Sequence, residues 1–240
     1  MFSPAFPSWT TTASHGRLVM SCDTLPLRVA AIQQSGVIAC VRAESAGVAL
    51  DMARAALDGG LNVLEVTMTT PSAPKAIAKL VEEYPSTLIG AGTVLSLADA
   101  DAAKAAGAKF LMSPVTIQNL IESNRDGPML VIPGSITPTE VFNAYNQGAS
   151  LVKLYPVTLM GGVKLVHALR KAMPQIPLVA SQGMTLETFD QYLSAGATAV
   201  VLSDAIFNKT LVNSRDYKKI QQQACAVAAK AAATLHGLPS

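Results

Sequence analysis

Residues 137–156 read Thr137-Pro138-Thr139-Glu140-Val141-Phe142-Asn143-Ala144-Tyr145-Asn146-Gln147-Gly148-Ala149-Ser150-Leu151-Val152-Lys153-Leu154-Tyr155-Pro156. Thr137 supplies an N-cap hydroxyl, Pro138 suits the first helical position, and Glu140 stands where it can close a capping box. Gly148 then offers the left-handed residue on which a helix can end. A short apolar run, 151–155, follows at once and stops at a proline. The stretch is one unit of helix, stop and strand.

The same grammar repeats on both sides. Short β-rich runs fall at 37–41, 63–67, 88–91, 110–113, 129–133, 151–155, 178–181 and 199–202, with starts 19 to 27 residues apart. Between them lie Ala/Leu-rich stretches with helical spacing, such as Ala49, Met52, Ala53, Ala56 and Leu57. Further stop signals, Gly59-Gly60, Gly107-Ala108 and Gly196-Ala197, each precede the next run. Strands alternating with helices predict βαβ units and a parallel sheet. Eight units in about 200 residues fit a single-domain α/β fold, the (β/α)8 TIM barrel. An open doubly wound sheet usually carries a glycine-rich fingerprint after its first strand, and Cys40-Val41-Arg42-Ala43-Glu44-Ser45 has none. The barrel is expected over 26–240.

Composition narrows the function classes. Of 240 residues, 50% are hydrophobic and 14% charged, which excludes a disordered chain. Eighteen basic and sixteen acidic residues give +2, with no basic run, so no nucleic-acid partner is expected. No apolar stretch approaches the roughly 18–20 residues of a membrane span, and no membrane partner is expected. Three cysteines without a CxxC pair, and three scattered histidines, predict no metal site. Cys40, in an apolar run, reads as an inert core thiol. Residues 1–25 hold eight Ser/Thr, one Arg and one acid. They read as a leader, either a transit peptide or a tail, giving a chloroplast or cytoplasmic location with the plastid favoured.

Two runs carry a charge inside an apolar strand. Period-two alternation puts Val63, Glu65 and Thr67 on one face, with Leu64 and Val66 on the other. In the sixth run Leu151, Lys153 and Tyr155 share a face against Val152 and Leu154. Outward positions of a parallel barrel pack under helices, so Glu65 and Lys153 are expected to point inward, where each could be the other's partner. A desolvated lysine is suited to forming a Schiff base with a ketone, and a nearby carboxylate is suited to moving protons on and off the adduct. An inert buried ion pair is the alternative.

Five motifs in register carry a resemblance. Leu64-Glu65-Val66-Thr67, Gly90-Ala91-Gly92-Thr93-Val94-Leu95, Ser113-Pro114, Ile132-Pro133-Gly134 and Val152-Lys153-Leu154-Tyr155-Pro156 resemble the 2-keto-3-deoxy-6-phosphogluconate / 4-hydroxy-2-oxoglutarate aldolase family. The stretches 179–183 and 201–207 look more like its plant branch. The resemblance implies a metal-independent class I lyase, without cofactor, that splits a 2-keto acid into pyruvate and an aldehyde. It also implies a homotrimer. Lys153 would form the Schiff base and Glu65 would be the general acid/base. Arg42 would pair with an anionic end of the substrate. Thr93, with Gly92 beside it, would contact the pyruvyl carboxylate, and Pro114 would shape the rim. The turns Gln182-Gly183 and Ser203-Asp204 would face the substrate's far end.

Those two turns depart from the family pattern. Bacterial members that hold a sugar phosphate use Thr-Gly-Gly and Gly-Ser there, and backbone amides of such turns cradle phosphate. Gln182 replaces a glycine, and Asp204 brings a carboxylate close to where a dianion would sit. Short or unphosphorylated 2-keto acids are therefore the expected substrates. A keto-acid-binding barrel with little turnover, a 2-keto acid decarboxylase and a sugar-phosphate isomerase are the other readings.

Overall fold

The computed structural model describes residues 24–238. Most of the expected leader, residues 1–23, lies outside the described residues; Thr24 and Leu25 already belong to the first helix and its cap.

Nine strands form one parallel sheet: β1 (Val37–Val41), β2 (Val63–Thr67), β3 (Leu88–Gly92), β4 (Phe110–Met112), β5 (Leu130–Ile132), β6 (Gly134–Ser135), β7 (Val152–Leu154), β8 (Leu178–Ser181) and β9 (Ala199–Leu202). Their order is β5-β4-β3-β2-β1-β9-β8-β7-β6. The two ends of that list, β5 and β6, are separated in the chain by Pro133 alone. One run of chain therefore pairs first with β4 and then with β7, and the sheet closes into the expected barrel. Eight predicted runs become nine strands because proline has no N–H to donate to a ladder. Its carbonyl still accepts from the Lys153 N–H at 2.8 Å.

Around the barrel run α2 (Ala46–Asp58), α3 (Ala73–Glu83), α4 (Leu97–Ala105), α5 (Gln118–Glu122), α6 (Pro138–Asn146), α7 (Gly162–Ala172), α8 (Phe189–Ser194), α9 (Lys209–Asn213) and α10 (Tyr217–His236). The signals in 137–156 act as read. Thr137 and Glu140 form a complete capping box, and Gly148 adopts φ 109 after α6.

The core has two layers. Ile38, Val63, Leu88, Phe110, Leu130, Leu151 and Val179 pack together inside the barrel. Their alternates, including Leu64, Val66, Ile89, Val152 and Leu154, pack outward against the helices. Glu65 and Lys153 share the inward faces of β2 and β7, as the alternation requires.

A helix not anticipated from the sequence, α1 (Leu25–Ser35), closes the bottom. Ile32, fully buried, joins the cluster inside the barrel. Arg28 donates to the carbonyls of Lys109 (2.9 Å) and Pro128 (2.5 Å), which lie just before β4 and β5. Among the described residues α1 thus covers the N-terminal ends of the strands, and the main cavity lies at the other end. Ile32→Ala should lower stability by about 2–5 kcal/mol, the usual cost of truncating a buried aliphatic. Urea unfolding should show this as a shifted midpoint with an unchanged slope. A loss below about 0.5 kcal/mol, the range of surface substitutions, would show that α1 is not part of the core.

Candidate active site

At the open end the strands' C-termini surround a cavity of about 930 Å³. Its wall holds Arg42, Glu65, Thr93, Pro114 and Lys153 on one side and Gln182, Gly183, Ser203 and Asp204 on the other. Every site residue expected from the sequence is gathered there except Gly92. Gly92 is instead the space that Glu65 fills, since a Cβ at this position would lie 2.5 Å from Glu65 Oε2. The absence of a side chain at Gly92 is thus required by close packing against the carboxylate.

Glu65 is 1% and Lys153 6% exposed. The expectation that they partner each other fails in its direct form, because no ion pair joins them among the described residues. Glu65 Oε2 is buried without any hydrogen-bond partner. Lys153 Nζ lies 5.2 Å from the centroid of the Tyr155 ring, a cation–π contact. A buried acceptor left unsatisfied is costly and marks a place built for something else.

Arg42, at the end of β1, is held by hydroxyls. It donates through Nη1 to Thr69 Oγ1 at 2.9 Å and through Nη2 to Thr93 Oγ1 at 3.3 Å. Thr69 in turn donates to the buried Thr67 at 3.1 Å. Neutral partners orient the guanidinium without neutralising it, so its charge remains available to an anion. Thr93 adopts φ 53, a conformation that β-branched residues rarely take. Such strain clusters at functional sites.

Cys40 packs against the apolar cluster inside the barrel, as expected of a core thiol, and is also part of the cavity wall. It lines the cavity on the inward face of β1, level with Glu65 on β2. Burial pushes its thiol well above the ordinary range, the Glu65 carboxylate adds to the shift, and Lys153 and Arg42 oppose it weakly. Cys40 is therefore kept as a neutral S–H wall, with the three charged groups of the site all within electrostatic reach of its sulfur.

On the far side the turn after β8 keeps two consecutive left-handed residues, Gln182 at φ 89 and Gly183 at φ 79. Gln182 Oε1 accepts from Thr158 Oγ1 at 2.6 Å. Asp204, after β9, is exposed to solvent.

Sequence reasoning missed several participants. Tyr155 had a signal, since alternation placed it on the Lys153 face. Thr69 and Thr158 had none, because they lie in loops whose residues are brought to the site only by closure of the barrel. Gln223, on α10, also lines the outer cavity. It reaches the site across the β9–β1 seam, which no local pattern reveals.

Comparison with known proteins agrees with this arrangement. The family described as KDPG and KHG aldolase matches residues 29–223. A 2-dehydro-3-deoxy-phosphogluconate aldolase of Treponema pallidum is 34% identical over 164 residues, which is 68% of this chain and 78% of that protein. The KHG/KDPG aldolase of Escherichia coli K12 is 30% identical over 176 residues, 73% of this chain and 83% of that one. A solved KDPG aldolase from Legionella pneumophila, with pyruvate captured as a covalent carbinolamine, matches with a TM-score of 0.76 at 28% identity. That match covers 83% of this chain and 97% of the other. With the family model spanning most of the barrel and the inward lysine and glutamate in place, the chain belongs to the KDPG and KHG aldolase family.

Proposed function

We propose that this aldolase cleaves a 2-keto-3-deoxy acid to pyruvate and an aldehyde, with Lys153 as the Schiff-base nucleophile and Glu65 as the acid/base. The observation that carries the assignment is that both side chains are buried, face one cavity and do not neutralise each other.

The steps follow from the positions. Lys153 Nζ adds to the C2 carbonyl, and loss of water from the carbinolamine leaves an iminium. Glu65 supplies and removes the protons this requires. It then takes the proton of the C4 hydroxyl as the C3–C4 bond breaks. The bonding pair moves onto C3, giving an enamine and the free aldehyde. Glu65 returns its proton to C3, and hydrolysis releases pyruvate and the free lysine. Arg42 and Thr93, joined at 3.3 Å, form one binding point on the β1–β3 side. They suit the C1 carboxylate, which leaves the substrate's far end to the turns after β8 and β9.

For that far end the physical grounds against phosphate weaken. Gln182 keeps a left-handed backbone, so the turn retains the form a glycine would give it. Asp204 is exposed, so solvent and salt screen its charge more than they would a buried carboxylate. A phosphorylated substrate of KDPG type is therefore part of the proposal. The names of the relatives support it.

The proposal includes a homotrimer. Leu95, Leu97, Val115, Phe142, Leu159 and Met160 are exposed, and all lie over the β3-to-β7 side of the barrel. Apolar exposure concentrated on one side supports association. Light scattering should give about three times the 25.0 kDa chain; a monomer at micromolar concentration would contradict it.

Borohydride with pyruvate should add a stable mass to the wild type and none to Lys153→Ala. Adduct formation on another lysine would refute the nucleophile. Glu65→Gln should keep the fold and lose about 10²–10⁴-fold in kcat, the usual contribution of a positioned acid/base. Turnover within a few-fold of wild type would make Glu65 structural.

A further inference from the structure

Gln182 holds a backbone conformation, φ 89, that L side chains rarely adopt. Something must keep it there. Val157 N–H donates to Ser181 O at 3.0 Å, tying the turn after β7 to the end of β8. Thr158, the next residue, donates its hydroxyl to Gln182 Oε1 at 2.6 Å. A Cβ on Gly183 would run into the Thr158 side chain, so residue 158 and the 182–183 turn are in direct contact.

A carboxamide has an acceptor end and a donor end. Thr158 occupies the acceptor end. Among the described residues the Gln182 Nε2 group has no protein acceptor, and Gln182 lines the cavity that holds Lys153. We propose that Thr158 is a positioning residue that fixes Gln182 so that its amide N–H groups bind an anionic group, a phosphoryl oxygen, at the far end of the substrate. The inference rests on the aldolase reading and deepens it. Where a glycine could offer only backbone N–H, this chain adds a side-chain donor. It accepts a strained residue to do so. A hydrogen bond to a charged acceptor is among the stronger kind, which makes the added donor a specificity determinant.

The test compares wild type, Gln182→Glu, Thr158→Val and Thr158→Ser on 2-keto-3-deoxy-6-phosphogluconate and on its unphosphorylated counterpart. In Gln182→Glu an oxygen for Thr158 and nearly the same shape remain, but the donor becomes a carboxylate. The ratio of kcat/KM for the phosphorylated over the unphosphorylated substrate should fall about tenfold or more, through KM. In Thr158→Val the ratio should fall about threefold or more, because the amide is free to turn, and in Thr158→Ser it should return to near the wild-type value. A fall of less than threefold in Gln182→Glu, an equal loss on both substrates, or a wild type that prefers the unphosphorylated substrate would overturn the proposal. Pyruvate trapping on the same preparations separates the two readings. Trapping on Lys153 with an unmoved ratio refutes the role of Gln182 alone, whereas wild type that fails to trap refutes the aldolase assignment.

Discussion

A lysine and a glutamate each cost several kcal/mol to take out of water, and the common remedy is to let them touch. In this barrel they do not. Glu65 and Lys153 sit on the inward faces of β2 and β7, nearly removed from solvent, with one carboxylate oxygen unsatisfied. Much of the surrounding structure serves to keep that separation. Gly92 leaves room beneath the carboxylate. Tyr155 gives the ammonium a ring face in place of an anion. Arg42, the other cation close by, is bound to threonine hydroxyls and so is not drawn onto Glu65. The cost is sustained by the apolar layer inside the barrel and by α1, which covers the opposite end.

Backbone strain lies at the cavity wall. Thr93 and Gln182 both have positive φ, and both line the cavity, on opposite sides of it. Each is restrained by a side chain from another loop, Arg42 for Thr93 and Thr158 for Gln182. The paired strands below them are regular and fully buried, which gives the loops a rigid base. Thr93 and Gln182 are thus held at the two sides of the cavity, while Glu65 and Lys153 form no ion pair with each other.

The fold was legible because its signals are local. A capping box, a stop glycine and a short apolar run can each be read within a few residues, and Pro133 altered only the count of strands. The inward direction of Glu65 and Lys153 was legible for the same reason, since alternation can be read within the short runs 63–67 and 151–155. What could not be read depends on closure. The direct pairing expected of Glu65 and Lys153 needs a distance across the barrel, and that distance is not written in either strand. Cys40 is core, as its apolar neighbours in sequence indicated, and only the closed barrel shows that it also lines the cavity level with Glu65. Gln182 looked like the loss of a turn because residue type was taken to fix backbone shape, whereas its backbone stays left-handed and its side chain accepts from Thr158, 24 positions away.

The most direct test of the central claim needs no aldehyde. If Lys153 forms an imine with pyruvate and Glu65 moves a proton at C3, the enzyme should exchange the methyl hydrogens of pyruvate with deuterium from heavy water, followed by proton NMR. Wild type should exchange them, and Lys153→Ala and Glu65→Gln should each fall to the uncatalysed rate. Exchange persisting in Glu65→Gln at the wild-type rate, or absent from the wild type, would contradict the account.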